Sequence, residues 1–490
     1  MIPKINQGWT ITIGDKGWDG YCPSYFDNSY PFYGNKNQAS YMVDVDIRDP
    51  NVLTQGAGTA NLTNGSETGV VSTLITSILK TITSSDVSFV IGGDKLYKIS
   101  STTVASGGTP SWPYTITGTG AITGNDIVHY RGKLLYSYND AGLSTGNIGS
   151  YDLSTTFDDD YWTTTCSGSA LENAVHYMIL GGDDCVYITN GRYIARLEGT
   201  TAAAAGLDFW QDSIVVSLTW NYDRVIAAVN RPNISGSNFN QSSIYQWNGI
   251  NSTWDSNPVM VNGEIGALYT KNGVTFVWWK DATTTGGYNL GYLNGLQVTQ
   301  LRTYSGSLPN QSQVGEYDGH LAWISSGALE LWGAKDRGTV RMFPYMTSKL
   351  STAGAFAAPF GTPLISSTDG AGAYCISKAS GYSKNAAYHT IAYPVSGPTY
   401  KSQIDGIFVE TEQMSSGAKC DITFSYDKAK SSLALTQIAY SAANKTRHKI
   451  YDGGLQVEDF RLDLSWANGS ATNPCKIKKI MIFGHYIKDT

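Results

Sequence analysis

The nine residues KNGVTFVWW at 271–279 decide the fold class. A turn dipeptide such as Asn-Gly sits where a tight hairpin needs positive φ. The strand that follows is rich in β-branched and aromatic side chains, which suit a pleated surface. The same grammar of turn and apolar strand returns as IGGDKLYKI at 91–99, YRGKLLYSY at 130–138, GGDDCVYIT at 181–189, NYDRVIAAV at 221–229 and YDGHLAWIS at 317–325. Successive elements start about 40 to 50 residues apart, the period of propeller blades rather than of helical solenoids.

Several of these units are followed by a partner strand carrying an aromatic or Leu just before a turn: IGSYDLS near Tyr151, YIARLEG near Leu197, IYQWNG near Trp247, LGYLNG near Tyr292 and LELWG near Trp332. A four-stranded blade buries neither face alone and becomes stable when neighbours cover both, so the units imply a closed ring. A degenerate further unit from Leu364 to Tyr393, where LISSTDG, AYCISK and YHTIAYP alternate, brings the expected count to about seven blades, with six as the alternative.

Composition agrees with an all-β chain. Gly occurs 53 times, charged residues make up 15% and aromatics 12%. Residues 1–80 read as an extended arm, too poor in apolar residues for a core of their own. They include a short strand, SYMVDVDI at 40–47, and a helix predicted for GVVSTLITSILKTI from Gly69. Residues 81–396 read as the propeller. Residues 397–490 hold six alternating strands, KSQIDGIFVETEQ, AKCDITFSYD, LALTQIAYS, HKIYDG, VEDFRLDLSWA and CKIKKIMIFGHYI, which read as a β-sandwich.

A net charge of −6 without any Lys/Arg run argues against a duplex-gripping surface. The amino terminus lacks the charged and apolar regions of a conventional signal, and no segment holds eighteen successive apolar residues, so membrane insertion is not expected. Cys22, Cys166, Cys185, Cys375, Cys420 and Cys475 show no C-x-x-C pairing and read as buried, reduced thiols.

Motifs for serine hydrolysis, zinc, phosphate loops and EF-hands are missing from the sequence, so no catalytic residue, cofactor or metal ligand is expected, and the chain reads as a non-enzyme. The six histidines, at 129, 176, 320, 389, 448 and 485, are too dispersed to suggest joint ligation. The strongest acidic cluster is Asp158, Asp159 and Asp160 before Tyr161 and Trp162. Adjacent carboxylates there could hold a hard cation or serve a glycosidase, but three successive Asp in an extended segment diverge, which favours an ordinary loop. Asp183 and Asp184 fit a hairpin turn. Trp254, Trp278 and Trp279 suit either carbohydrate stacking or packing between blades.

The opening segment at 35–65, NKNQASYMVDVDIRDPNVLTQGAGTANLTNG, and the closing segment at 405–427, DGIFVETEQMSSGAKCDITFSYD, resemble the arm and sandwich that flank the propeller in tail structural proteins of tailed bacteriophages. The resemblance covers the layout of nearly the whole chain through loose motifs. It implies a nozzle-like virion tail component assembled in the host cytoplasm: a homo-oligomeric ring that meets adaptor and fibre proteins and lets genomic DNA pass without sequence-specific binding. Met42, Val43, Val45, Ile47, Ile407, Val409, Glu410 and Glu412 are the expected interface residues, and a chain lacking residues 1–80 is expected to remain a folded, monomeric propeller. Two further readings share the fold: a receptor- or glycan-binding propeller at the tail tip, and a propeller glycosidase or lyase.

Overall fold

The computed structural model describes residues 8–20, 36–63, 71–84, 86–231, 241–281, 286–325, 328–333, 341–347, 353–368, 373–397, 400–443 and 445–488. Each of the six turn-and-strand stretches forms an antiparallel hairpin. Lys271 is the last residue of strand Glu264–Lys271, and the chain returns as Val274–Lys280. The turn residues Asn272 and Gly273 have φ of 50° and 77°, and Asp318 and Gly319 of the last hairpin have 46° and 73°. These pairs place left-handed backbone on residue types that tolerate it, which matches the hairpin to the twist of its strands.

Strand order gives seven four-stranded antiparallel sheets of the propeller type, the expected number. The first runs Ser77–Ile78, Ser88–Gly92, Lys95–Ile99, Tyr114–Thr115. The following sheets open on the inner strands Ile122–Tyr130, Met178–Leu180, Ile214–Asn221, Glu264–Lys271 and Val314–Tyr317. In the seventh, Ala353–Ala357, Leu364–Thr368 and Tyr374–Tyr382 are completed by Ala57–Asn61 from the start of the chain.

By compactness the chain forms two units, residues 61–327 with 349–378, and residues 1–60 with 328–348 and 379–490. In the first unit, consecutive sheets share apolar layers. Leu134 and Tyr136 of the second sheet join Phe89 and Ile91 of the first, and Tyr187 and Ile194 of the third join Val225 and Trp247 of the fourth. Trp323 donates its Nε1–H to Tyr288 OH at 2.8 Å, linking the sixth sheet to the fifth. Val71, Ile75 and Ile78 near the first sheet pack with Ala355, Leu364 and Ile376 of the seventh, and Ser366 Oγ donates to Ile75 O at 3.0 Å. The unit is therefore a closed ring.

Neighbouring inner strands splay too far to form a ladder with one another, so their buried N–H groups need other acceptors. Side chains supply them. Asp126 Oδ2 accepts from Met178 N at 2.7 Å, Ser217 Oγ from Leu268 N at 2.9 Å and Thr219 Oγ1 from Thr270 N at 3.0 Å. Register shifts fall just before Asp126 and Ser217, where a bulge re-aims the following side chain.

In the second unit, one sheet has the order Gly8–Ile13, Ile477–Lys488, Tyr400–Thr411, Arg447–Val457. The other runs Ala39–Val43, Ala387–Thr390, Asp459–Ser465, Lys419–Tyr426, Ser431–Ala434. Ile404 and Ile407 of the first sheet and Phe424 and Leu433 of the second line one apolar gap, as in a sandwich. The amino-terminal arm is thus the source of an edge strand for each sheet.

Two local expectations are corrected. Residues 71–84 hold no helix; the segment is extended, with the strand Ser77–Ile78. Val71, Ile75 and Ile78 enter the apolar layer shared with the seventh sheet, while Leu79 enters the layer shared with the second. A strand buried on both faces carries a near-continuous apolar run, which mimics helical spacing. The stretch YHTIAYP belongs to the sandwich instead of the last blade: Tyr388 pairs with Met42 and with Leu464.

Candidate functional site

The inner strands of the ring enclose an axial cavity of about 320 Å³, at the lower end of the roughly 300–1,000 Å³ typical of ligand sites. Lys80, Asp126, His129, Trp220 and Tyr269 line it. They come from the inner parts of four sheets or their continuations, with Asp126 and His129 on one strand, so ring closure brings them together.

Lys80 is exposed to the solvent of the channel. Its ammonium lies 5.4 Å from the centroid of the Tyr269 ring, a cation–π contact. Desolvation holds the Lys80 pKa below that of an ordinary lysine, and the nearby Asp126 charge partly opposes that shift. No salt bridge to Lys80 is formed among the described residues.

Asp126 is committed to the fold. Its Oδ1 accepts from Ser77 Oγ at 2.5 Å and from Ile127 N at 2.9 Å, and its Oδ2 accepts from Met178 N. One carboxylate thereby ties the first three sheets at the axis. Burial raises its pKa, against the opposing pull of those three donors. His129 Nε2 is enclosed and has no hydrogen-bond partner among the described residues. At the rim of the same ring, Lys271 and Glu316 neutralise each other at 2.6 Å.

The expected acidic loop has a structural role in the second sheet. Asp159 accepts from Tyr114 OH at 2.8 Å, Tyr136 OH at 2.5 Å and Thr117 N at 2.9 Å. Asp158 accepts from Thr165 Oγ1 and Asp160 from Asn147 Nδ2. The three carboxylates diverge, and no group of three or more His, Cys, Asp or Glu among the described residues is placed to hold a metal. Asp183 accepts from Tyr187 OH, and Asp184 pairs with Arg131 at 2.6 Å. Trp278 packs against Trp323 at 5.7 Å, Trp279 joins the layer between the fourth and fifth sheets, and Trp254 sits against Tyr245 at 4.9 Å.

Of the expected interface residues, Met42, Val45, Ile47, Ile407 and Val409 are buried within the sandwich unit itself. Val43 is half-buried. Glu410 and Glu412 pair with Lys479 and Lys476, each at 3.0 Å. Five cysteines are buried and unpaired, while Cys22 lies outside the described residues. No helix among the described residues is long and apolar enough to cross a membrane.

No protein-family model and no curated protein matches the chain. Solved structures do match its fold. An exo-β-1,3-galactanase from Phanerochaete chrysosporium with β-1,3-galactotriose is 8% identical, with 88% of this chain and all of that chain covered and a TM-score of 0.31. The WD40 domain of Neurospora crassa Pan2 is 8% identical over 68% of this chain and 96% of its own, with a TM-score of 0.41. An α-L-arabinofuranosidase from Clostridium thermocellum is 12% identical over 45% and 94%, with a TM-score of 0.30. The expectation of a non-enzyme is corrected here: enzymes stand among these matches, so missing sequence motifs do not exclude turnover.

Proposed function

We propose that the chain is a carbohydrate-binding β-propeller that takes its ligand in the axial cavity. The supporting observation is that this one cavity is lined by Trp220 and Tyr269 together with a polar group the fold leaves available, the Lys80 ammonium. Aromatic surfaces beside a few convergent polar groups are the usual make-up of a ligand site. Hydrolysis by a carboxylate pair would need a second acid near the bond to be cleaved. Among the described lining residues Asp126 is the carboxylate present, and three donors occupy it. Recognition is therefore the chemistry that the cavity favours.

In a virion, the setting implied by the sequence resemblance, this corresponds to receptor recognition at a tail tip. The ring-forming role is less well supported, because five of its eight expected interface side chains are taken up by the chain's own core. The test is a glycan array probed with the wild-type protein, Trp220→Ala and Tyr269→Ala. The proposal expects wild-type binding that both substitutions weaken. A blank array, or binding that neither substitution changes, overturns it. Incubating the array hits with the protein and looking for shorter products measures turnover directly.

A further inference from the structure

We infer that the ligand of the axial cavity is an acidic carbohydrate, whose carboxylate pairs with the Lys80 ammonium; this rests on the carbohydrate reading of the same site. The argument is one of unbalanced charge. Lys80 is the one ammonium among the described lining residues; it is open to the channel solvent, and the protein around it still lowers its pKa through partial desolvation. A partly desolvated cation is stabilised further by an anion or a π face beside it. The Tyr269 ring supplies such a face from 5.4 Å.

The protein's own anions do not complete that stabilisation. Asp126 is turned to Ser77, Ile127 and Met178, and burial favours its neutral form. Glu316 is held by Lys271. A ligand carboxylate would supply the missing counter-charge in a setting where a charge-assisted hydrogen bond is strong. A neutral sugar would engage the aromatic rings but leave the ammonium uncompensated.

The test is an array carrying uronate- and sialate-terminated glycans beside neutral counterparts of equal length, probed with wild type, Lys80→Gln and Lys80→Arg, with free acetate as a competitor. The inference expects carboxylated glycans to be retained preferentially. It expects Lys80→Gln to weaken them about tenfold or more, the worth of one hydrogen bond to a charged group, and Lys80→Arg to keep most of the binding. Acetate should not compete, since the sugar ring contributes its own contacts. Equal retention of acidic and neutral glycans by wild type overturns the inference and leaves the carbohydrate reading standing. Acidic glycans held equally by wild type and Lys80→Gln also overturn it, because the carboxylate then binds elsewhere. Displacement by acetate alone overturns the carbohydrate part, and a blank array overturns both readings. Thermal melting of the variants separates lost binding from lost folding, and Lys80→Arg keeps the test decisive if Lys80→Gln misfolds.

Discussion

Replacing Asp126 should loosen the ring at its axis in a way that the hydrogen bonds allow to be calculated. Truncation to alanine removes the acceptor of two backbone N–H groups, those of Ile127 and Met178. The Ser77 hydroxyl can rotate to another partner. A buried N–H left unsatisfied costs about 1–3 kcal/mol, so Asp126→Ala should destabilise the propeller by about 2–6 kcal/mol. Asparagine keeps one acceptor oxygen and places an NH₂ group against the remaining N–H, so Asp126→Asn should cost about 1–3 kcal/mol. The sign of the pH dependence follows from the raised carboxyl pKa. The folded state holds this proton more tightly than the unfolded chain, so the associated stability is complete below the unfolded pKa near 3.9. It is lost as pH rises through the folded value. Asp126→Asn lacks that titration, so its deficit relative to wild type should narrow as pH rises. The assay is urea unfolding of wild type and both variants across pH, with hydrogen exchange at the Met178 amide as the local readout. An Asp126→Ala loss below about 0.5 kcal/mol, the range of ordinary surface substitutions, would refute the reasoning, as would unchanged protection at Met178.

Burial pushes the His176 imidazole down to about 4 from 6.5. Its stabilising neutral form is fully present above pH 6.5 and is lost as pH falls towards 4, so unfolding midpoints should fall by the equivalent of about 3 kcal/mol across that window, and His176→Gln should flatten that part of the profile. Leu364, 1% exposed in the layer that joins the first and seventh sheets, should cost about 2–5 kcal/mol as alanine, read by denaturant unfolding. Deleting residues 1–80 removes the inner strand Ser77–Ile78 and both amino-terminal edge strands, Gly8–Ile13 and Ala39–Val43. The product should be unfolded or insoluble by circular dichroism and sedimentation, contrary to the expectation of a free-standing propeller.

The hairpins were legible because each is local. Turn chemistry and strand pattern lie within ten residues, and the period repeats six times before any distant contact is needed. Most of the strands after residue 400 were legible for the same reason, although LALTQIAYS forms two short strands, Ser431–Ala434 and Ile438–Ala439, instead of one. What could not be read is long-range pairing: Gly8–Ile13 pairs with a strand more than 460 residues away, Ile13 opposite Ile480, and nothing in either segment marks the other. The segment at 71–84 misled because burial on both faces of a strand erases the alternation that reveals strands. The axial site was hidden too. Lys80, the Asp126–His129 strand and Tyr269 lie far apart in sequence, and ring geometry brings them together. A usable signal did exist in NDIVHY and SILKTI, where a lone charge interrupts an apolar inner strand or its continuation. The acidic loop at 158–160 drew attention by density of charge, yet its carboxylates serve tyrosines, an asparagine and threonines of the first two sheets and the loops beside them.

The most direct test of the central claim is a crystal structure of the protein with the best glycan from the array. The account predicts the sugar in the axial cavity, stacked near Trp220 or Tyr269 and within hydrogen-bonding reach of Lys80. A sugar bound on the outer rim, with the axial cavity holding only water, would contradict it.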